Sequence, residues 1–220
     1  MNVSREPIQI NESHDSKRAL AYLSRTRGLD YSMVLDLVKQ GKIAQEEKTS
    51  NVLFKYFDEN QALAGVEKVG TSTEHKFKGI AAGSNSDYGF EVVRGNGEKA
   101  YFFESAIDML SFMQMNKDID NARFVSMMGV KPNAVIETLM RNNIMPENAY
   151  ICSDNDDAGN RFADELIEEF PNMNRVKTPD NYKDWNDMLR GIEKEVVKVA
   201  DKPTKSDMIW FNTISALTKP

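Results

Sequence analysis

Apolar positions recur along this chain with two different periods, and the change of period divides it. Ala19, Leu20 and Leu23 stand at helical spacing and predict a helix over 16–27. Gly28 follows where a C′ glycine would end it. Asp30 is placed to cap a second helix with the stripe Met33, Val34, Leu37 and Val38, closed by Gly41. The period then falls to two. Residues 51–57 read as a strand, 58–60 as a turn and 62–69 as the hairpin partner. Residues 76–88, rich in Gly, Ser and Asn, show no clear period, and residues 1–14 read as a flexible lead.

Past Gly95-Asn96-Gly97 the pattern alternates. Strands are expected at 100–103, 122–126, 149–153 and 174–177, and helices at 106–115, 132–142, 158–170 and 184–199. Pro132 sits near a helix start, where its missing N–H costs nothing. Strands alternating with helices predict an α/β fold with a parallel sheet covered on both faces, whose sites gather at the carboxyl ends of the strands. The expected division is a lead over 1–14, a smaller α+β lobe over 15–97, the α/β domain over 98–200 and a tail over 201–220. Within the tail, the apolar segment 208–217 is expected to dock as a helix.

Composition adds limits. With 220 residues, 40% hydrophobic and 28% charged, the chain can bury a core without staples. One cysteine, Cys152, excludes an internal disulfide and a multi-cysteine zinc site. No apolar run reaches membrane-span length and residues 1–15 lack a signal-peptide core, which points to the cytoplasm and to no membrane partner. The net charge of −6 argues against a basic nucleic-acid coat. That charge is uneven: residues 1–99 hold 14 basic and 14 acidic side chains, and residues 100–220 hold 14 and 20. No G-x-x-x-x-G-K-[ST] loop occurs.

The acidic excess has a pattern. Glu104 follows the strand 101–103, Asp154 and Asp156 follow 150–152, and Lys183-Asp184-Trp185-Asn186-Asp187 follows the last short strand. In a parallel sheet these ends share one edge. Carboxylates gathered there repel each other and need a cation, and hard oxygen donors favour Mg²⁺ or Mn²⁺. Residues two apart in extended chain face the same way, so Asp154 and Asp156 can grip one ion. Ala158 and Gly159 allow close approach of backbone or phosphate at a helix start. Other readings stand beside these. Asp156 and Asp157 also suit helix capping, and the 184–187 segment also suits helix initiation and packing. Trp185 and Cys152 read as core, and His14 and His75 as solvated. An EF-hand over 154–165 fails on Ala158 and Phe162 at ligand positions and on the strand before it. A haloacid-type phosphatase fails because Ala158 stands where Thr or Val is usual and an acidic strand end precedes the D-x-D.

The order Phe103-Glu104-Ser105-Ala106-Ile107-Asp108, then Ser153-Asp154-Asn155-Asp156-Asp157-Ala158-Gly159, then Lys183-Asp184-Trp185-Asn186-Asp187 resembles the Toprim domain of bacterial-type primases, topoisomerases and several nucleases. The resemblance covers roughly 100–191, and it departs at Ser105, where primases usually carry glycine. Residues 20–41 and 51–70 resemble, more faintly, the helical and β regions that precede Toprim in primases, in a combination familiar from plasmids and conjugative elements. The primase zinc ribbon is absent.

The resemblance implies a Toprim-like sheet and a set of roles. Glu104 would be the general acid/base or a ligand, Asp154 and Asp156 the Mg²⁺ (or Mn²⁺) ligands, and Asp184 and Asp187 a second shell of ligands. Lys183 would contact a phosphate oxygen, with Asp108 and Gly159 in support. Lys17, Arg18, Arg25, Arg27, Lys39 and Lys42 are candidates for a phosphate-facing patch, or ordinary surface charges. The function implied is primase-like primer synthesis for a mobile element, on single-stranded DNA and with replication or conjugation proteins as partners. A Toprim nuclease and a non-catalytic DNA- or protein-binding module are the alternatives.

Overall fold

The computed structural model describes residues 7–72 and 74–198, the last seven as backbone. The helix expected within 201–220 lies outside the described residues.

The first lobe opens with α1 (Lys17–Ala21), which runs on into a π-helical turn over Tyr22–Thr26, and continues with α2 (Tyr31–Lys39). Asp30 caps α2 by accepting a hydrogen bond from the Met33 N–H at 2.9 Å, as its position predicts. An antiparallel sheet follows in the order β1 (Ile43–Gln45), β2 (Val52–Phe57), β3 (Leu63–Val69), β4 (Lys78–Ile80). Two of these strands escape the sequence pattern. β1 and β4 have three residues each, too few to display a period. Residues 7–14 are also more engaged than a flexible lead. Ile8 and Ile10 pack on Ala44, Leu53 and Val66, and the Ser13 N–H donates to the Gln45 carbonyl at 2.8 Å.

The second sheet has the order β5-β7-β6-β8-β9. Its strands β6 (Lys99–Phe103), β7 (Ala122–Ser126), β8 (Ala149–Ile151) and β9 (Asn174–Arg175) are parallel. The helices α3 (Ala106–Met115), α4 (Pro132–Asn142), α5 (Asp157–Glu169) and α6 (Trp185–Lys198) alternate with them. β5 (Phe90–Arg94) differs from the purely parallel expectation: it lies antiparallel along β7 as an edge strand. Gly89 and Gly95 flank it, so its five residues merge with the glycine-rich stretch before them. The second sheet therefore begins inside the 15–97 segment.

Each face of this sheet has its own core. Ala100, Phe102, Val125 and Ile151 pack against α4 and α5 through Ala134, Val135, Leu139, Phe162 and Leu166. On the other face Tyr101, Phe103 and Phe124 meet α3 and α6, and this core runs on into the first lobe through Leu23, Val34 and Phe54. Phe54 meets Phe90 edge-on at 5.2 Å, and Phe112 meets Trp185 edge-on at 4.8 Å. Each phenylalanine buried this way contributes about 1.5–3 kcal/mol. The two lobes thus share one core. That packing sets the first lobe against the second.

A candidate metal and phosphate site at the sheet edge

Glu104 leaves the end of β6, and Asp154 leaves the loop after β8. The two meet: the Asp154 N–H donates to Glu104 Oε1 at 3.0 Å. Gly159 makes that approach feasible. A Cβ there would stand 2.3 Å from the Asp154 carbonyl and 2.7 Å from Glu104 Oε1. Glycine is needed here for space, since its φ is not in the left-handed region.

The carboxyl of Asp154 is pushed up to about 8, first by burial and then by the neighbouring charges of Asp108, Glu104, Asp184 and Asp156. Its Oδ1 is buried with no hydrogen-bond partner. Glu104 is raised too, chiefly by burial. Asp108 is buried on the first turn of α3 and pushed up to about 7 by burial and by Asp184. Its Oδ1 accepts the Asn186 N–H at 3.0 Å and its other oxygen accepts the Ser105 hydroxyl. Ser105 caps α3, with Oγ accepting the Asp108 N–H at 3.1 Å, and its φ of −141° is ordinary extended backbone. This turn therefore has no conformational need for glycine, and serine contributes a cap instead.

Asp156 behaves differently from Asp154. Its Oδ1 caps α5, accepting from Ala158 N at 3.1 Å and Gly159 N at 3.0 Å. Its Oδ2 pairs with Lys183 Nζ at 3.2 Å. The Gly159 N–H and then Lys183 hold its carboxyl below the ordinary range, and Asp156 in turn raises Lys183. The Lys183 carbonyl accepts the Asn155 N–H at 2.7 Å, which locks the two acidic loops together. Asp184 Oδ1 accepts the Asp187 N–H at 2.7 Å at the start of α6, while the Asp187 side chain is exposed. The capping and packing readings of Asp156 and of 184–187 therefore hold alongside any role in binding. Trp185 and Asn186 are buried, Trp185 Nε1 donates to the Cys152 carbonyl at 2.9 Å, and Cys152 is a buried free thiol.

Hard oxygen donors, mutual repulsion and one orphaned buried oxygen are a donor set that fits Mg²⁺ or Mn²⁺. Among the described residues no group of three Asp, Glu, His or Cys side chains already converges in ion-holding geometry. Asp156 is turned to its helix and to Lys183.

Three charged groups at this edge escape sequence reasoning. Arg175, on β9, donates to the carbonyls of Ser153 at 3.1 Å and Asp154 at 3.2 Å and to the Ser153 hydroxyl, bracing the D-x-D loop from beneath. Lys78 reaches over from β4, its Nζ 3.3 Å from the Glu104 carbonyl. Glu67, on β3, is fully buried beside Lys78 at 3.6 Å. Only the docking of the lobes brings Lys78 and Glu67 here. An arginine within the short strand 174–177 is the one local signal for Arg175.

The candidate nucleic-acid residues are dispersed. Lys17 and Arg25 are exposed, Lys17 beside Asp15 at 3.5 Å, and Arg18 is exposed on α1. Lys39 pairs with Asp36 at 3.5 Å. Arg27 is held by Tyr22 Oη at 2.9 Å and Asn186 Oδ1 at 3.4 Å, tying the first lobe to α6. Lys42 is half-buried and donates to the Glu91 carbonyl at 2.7 Å.

Comparison with known proteins bears on both parts of the chain. Residues 101–189 match the Toprim-like family Toprim_2, and residues 21–97 match DUF3991, a family of unknown function. An uncharacterised Bacillus anthracis protein, pXO2-78, is 30% identical over 216 residues, covering 86% of this chain and 62% of its own length. A 65 kDa protein of Zymomonas mobilis is 28% identical over 237 residues, covering 94% of this chain and 38% of its own. The chain thus spans less than two thirds of these relatives. The fold is similar to the primase fragment of the bacteriophage T7 primase-helicase, with a TM-score of 0.57 at 19% identity, covering 79% of this chain and 72% of that one. It is also similar to the DnaG primase catalytic domain bound to ssDNA, with a TM-score of 0.54 at 14% identity, covering 81% and 71%. A Pseudomonas aeruginosa DNA primase domain has a TM-score of 0.53 at 15% identity, covering 94% and 79%. Residues 101–189 are thus similar to Toprim-like domains and residues 21–97 to DUF3991, on a fold similar to that of primase catalytic domains.

Proposed function

We propose that this chain is a Mg²⁺- or Mn²⁺-dependent nucleic-acid enzyme that synthesises primers on single-stranded DNA for a mobile element, in the cytoplasm and with replication or conjugation proteins as partners. The observation that carries the reading is Asp154: a buried carboxyl with an orphaned oxygen, pressed by four neighbouring acidic groups, on a primase-like fold. Such a group is costly for the fold and useful for a cation. Asp154 and Asp156 would hold the ion, with Asp184 beside them. When bound, the ion supplies charge stabilisation at a reacting phosphate. The chain's own groups do the rest. Glu104, kept basic by burial, would take the proton of an attacking hydroxyl. Lys183 and Lys78 would hold phosphate oxygens, and Arg175 would keep the Asp154 backbone in place.

Primer synthesis on a single-stranded template with nucleoside triphosphates tests this. Glu104→Gln and Asp154→Asn are expected to abolish it, and unchanged synthesis in either variant contradicts the assignment. DNA cleavage with Mn²⁺ and no nucleotide would assign the same acids to a nuclease.

A second reading is favoured by the Lys183–Asp156 ion pair, which occupies half of the D-x-D pair from within. It is a non-catalytic module that binds DNA or protein in a plasmid or conjugation complex. Single-stranded DNA binding without turnover under either metal supports it.

A further inference from the structure

Glu67 stands on β3, whose partners across the antiparallel sheet are Phe54 on β2 and Ile80 on β4. A strand residue at such a position ordinarily packs or faces water. Glu67 does neither: it is fully buried, and its carboxylate points at the second lobe. Oε2 accepts the Ala106 N–H at 3.3 Å, two residues past Glu104, and the Ser126 hydroxyl at the end of β7 at 3.5 Å. Oε1 has no hydrogen bond and lies 3.6 Å from Lys78 Nζ. Lys78 in turn donates to the Glu104 carbonyl, which also accepts the Gly129 N–H at 2.8 Å. Lys131, half-buried at the start of α4, is a second cation whose charge acts on Glu67. Burial lowers its ammonium, Glu67 raises it and Lys78 lowers it again, so the three charges feel one another.

Burial raises the Glu67 carboxyl, against the pull of Lys78, the Ala106 N–H and Lys131. A buried carboxylate with one oxygen unmatched is a poor way to join two lobes, and an apolar or amide side chain would do so at less cost. Its use lies in what it fixes. Two cations left to themselves at this edge would repel each other, and Lys78, about half exposed, would sample many rotamers. The Glu67 carboxyl, 3.6 Å from Lys78 Nζ, holds that ammonium beside the turn that carries Glu104.

We propose that Glu67 is a positioning residue that the first lobe lends to the acidic edge: it sets where the Lys78 ammonium stands, and this cation, with Lys131 as a second, takes the phosphate groups of a polyphosphate ligand. This rests on the phosphate-handling reading above.

Calorimetry on the full chain tests it, with inorganic tripolyphosphate as the probe and Mg²⁺ alone as the reference. The variants are Glu67→Gln, Lys78→Met, their double mutant and Lys131→Met. Glu67→Gln is the neutral isostere. It is expected to melt no lower than wild type and to bind Mg²⁺ alone within about twofold of it, yet to bind tripolyphosphate about tenfold more weakly, the size of one charge-assisted contact. In the Lys78→Met background it is expected to add little. A merely structural glutamate would lower the melting temperature and leave tripolyphosphate binding alone. Wild-type tripolyphosphate affinity in folded Glu67→Gln, a loss fully additive with Lys78→Met, or a wild type that binds no tripolyphosphate overturns the proposal. If Glu67→Gln does not fold, Lys78→Met and Lys131→Met decide, and wild-type affinity in either overturns it. If Asp154→Asn leaves Mg²⁺ binding intact while Glu67→Gln weakens tripolyphosphate, the metal reading fails and the role of Glu67 stands.

Discussion

Two regions of this molecule are rich in charge, and they are wired in opposite ways. One is a cleft of about 280 Å³ between the first lobe and α4, lined by Lys42, Lys55, Arg123, Arg141, Glu59 and Glu91. There opposite charges meet. Arg123 pairs with Glu91 and Lys55 with Glu12 at 2.6 Å, the neutral Tyr88 hydroxyl donates to Glu59, and Arg141 stacks on Tyr88 at 4.1 Å. The other is the edge formed by Glu104, Asp108, Asp154 and Asp184. There like charges meet, two carboxyls are pushed up to about 7 and 8, and Asp154 keeps an oxygen unmatched. Arg123 Nε and Tyr56 Oη in the cleft also lack a hydrogen-bond partner, but neither is a carboxylate set among like charges. Unmatched charge, rather than volume, marks where a ligand has something to gain.

Several changes would break or sharpen that contrast. The largest effect is expected from Gly159→Ala. Its Cβ would collide with the Asp154 carbonyl and Glu104 Oε1, so metal binding should be lost and stability should fall by about 2–4 kcal/mol, read by calorimetry and denaturant unfolding. A glycine-like tolerance of alanine there would mean that the two acids do not need their close approach.

Next comes a pH dependence with a defined sign. Asp154 and Asp108 have folded-state carboxyls raised above the ordinary value, so the native state binds more protons than the unfolded chain between about pH 4 and 8. Metal-free stability should therefore fall as pH rises through that window, by about 2 kcal/mol. Asp154→Asn should flatten the slope and Mg²⁺ should oppose it. A metal-free protein that gains stability from pH 5 to 8 would contradict the electrostatics of the edge.

Ser105→Ala removes the α3 cap and one partner of Asp108, with an expected loss of about 1 kcal/mol in thermal unfolding, whereas Ser105→Gly should cost only a few tenths. At the cleft, Arg141→Ala should cost about 0.5–1 kcal/mol and leave Mg²⁺ affinity unchanged. A large effect on metal binding there would erase the distinction between the two regions.

How much of this was legible in the chain follows from how far each residue's role reaches. Asp30, Pro132 and the strand-to-acid order of Glu104 and Asp154 are local, and periodicity with strand ends places them. The three-residue strands β1 and β4 are too short to carry a period, and β5 is hidden between glycines. Glu67, Lys78 and Lys131 have unremarkable neighbours in sequence. Their meaning arises only when β3 and β4 are laid against the ends of β6 and β7, a contact 39 to 59 residues long for Glu67. Asp156 was legible twice over, as helix cap and as ligand candidate, and the structure shows the first use while leaving the second to experiment.

The most direct test is Mg²⁺ and Mn²⁺ calorimetry on the wild type and on Asp154→Asn/Asp156→Asn. Binding to the wild type that disappears in the double variant, with the fold intact by circular dichroism, is the result expected of an edge built around an unmatched carboxylate. Equal binding in both proteins, or none in either, would contradict it.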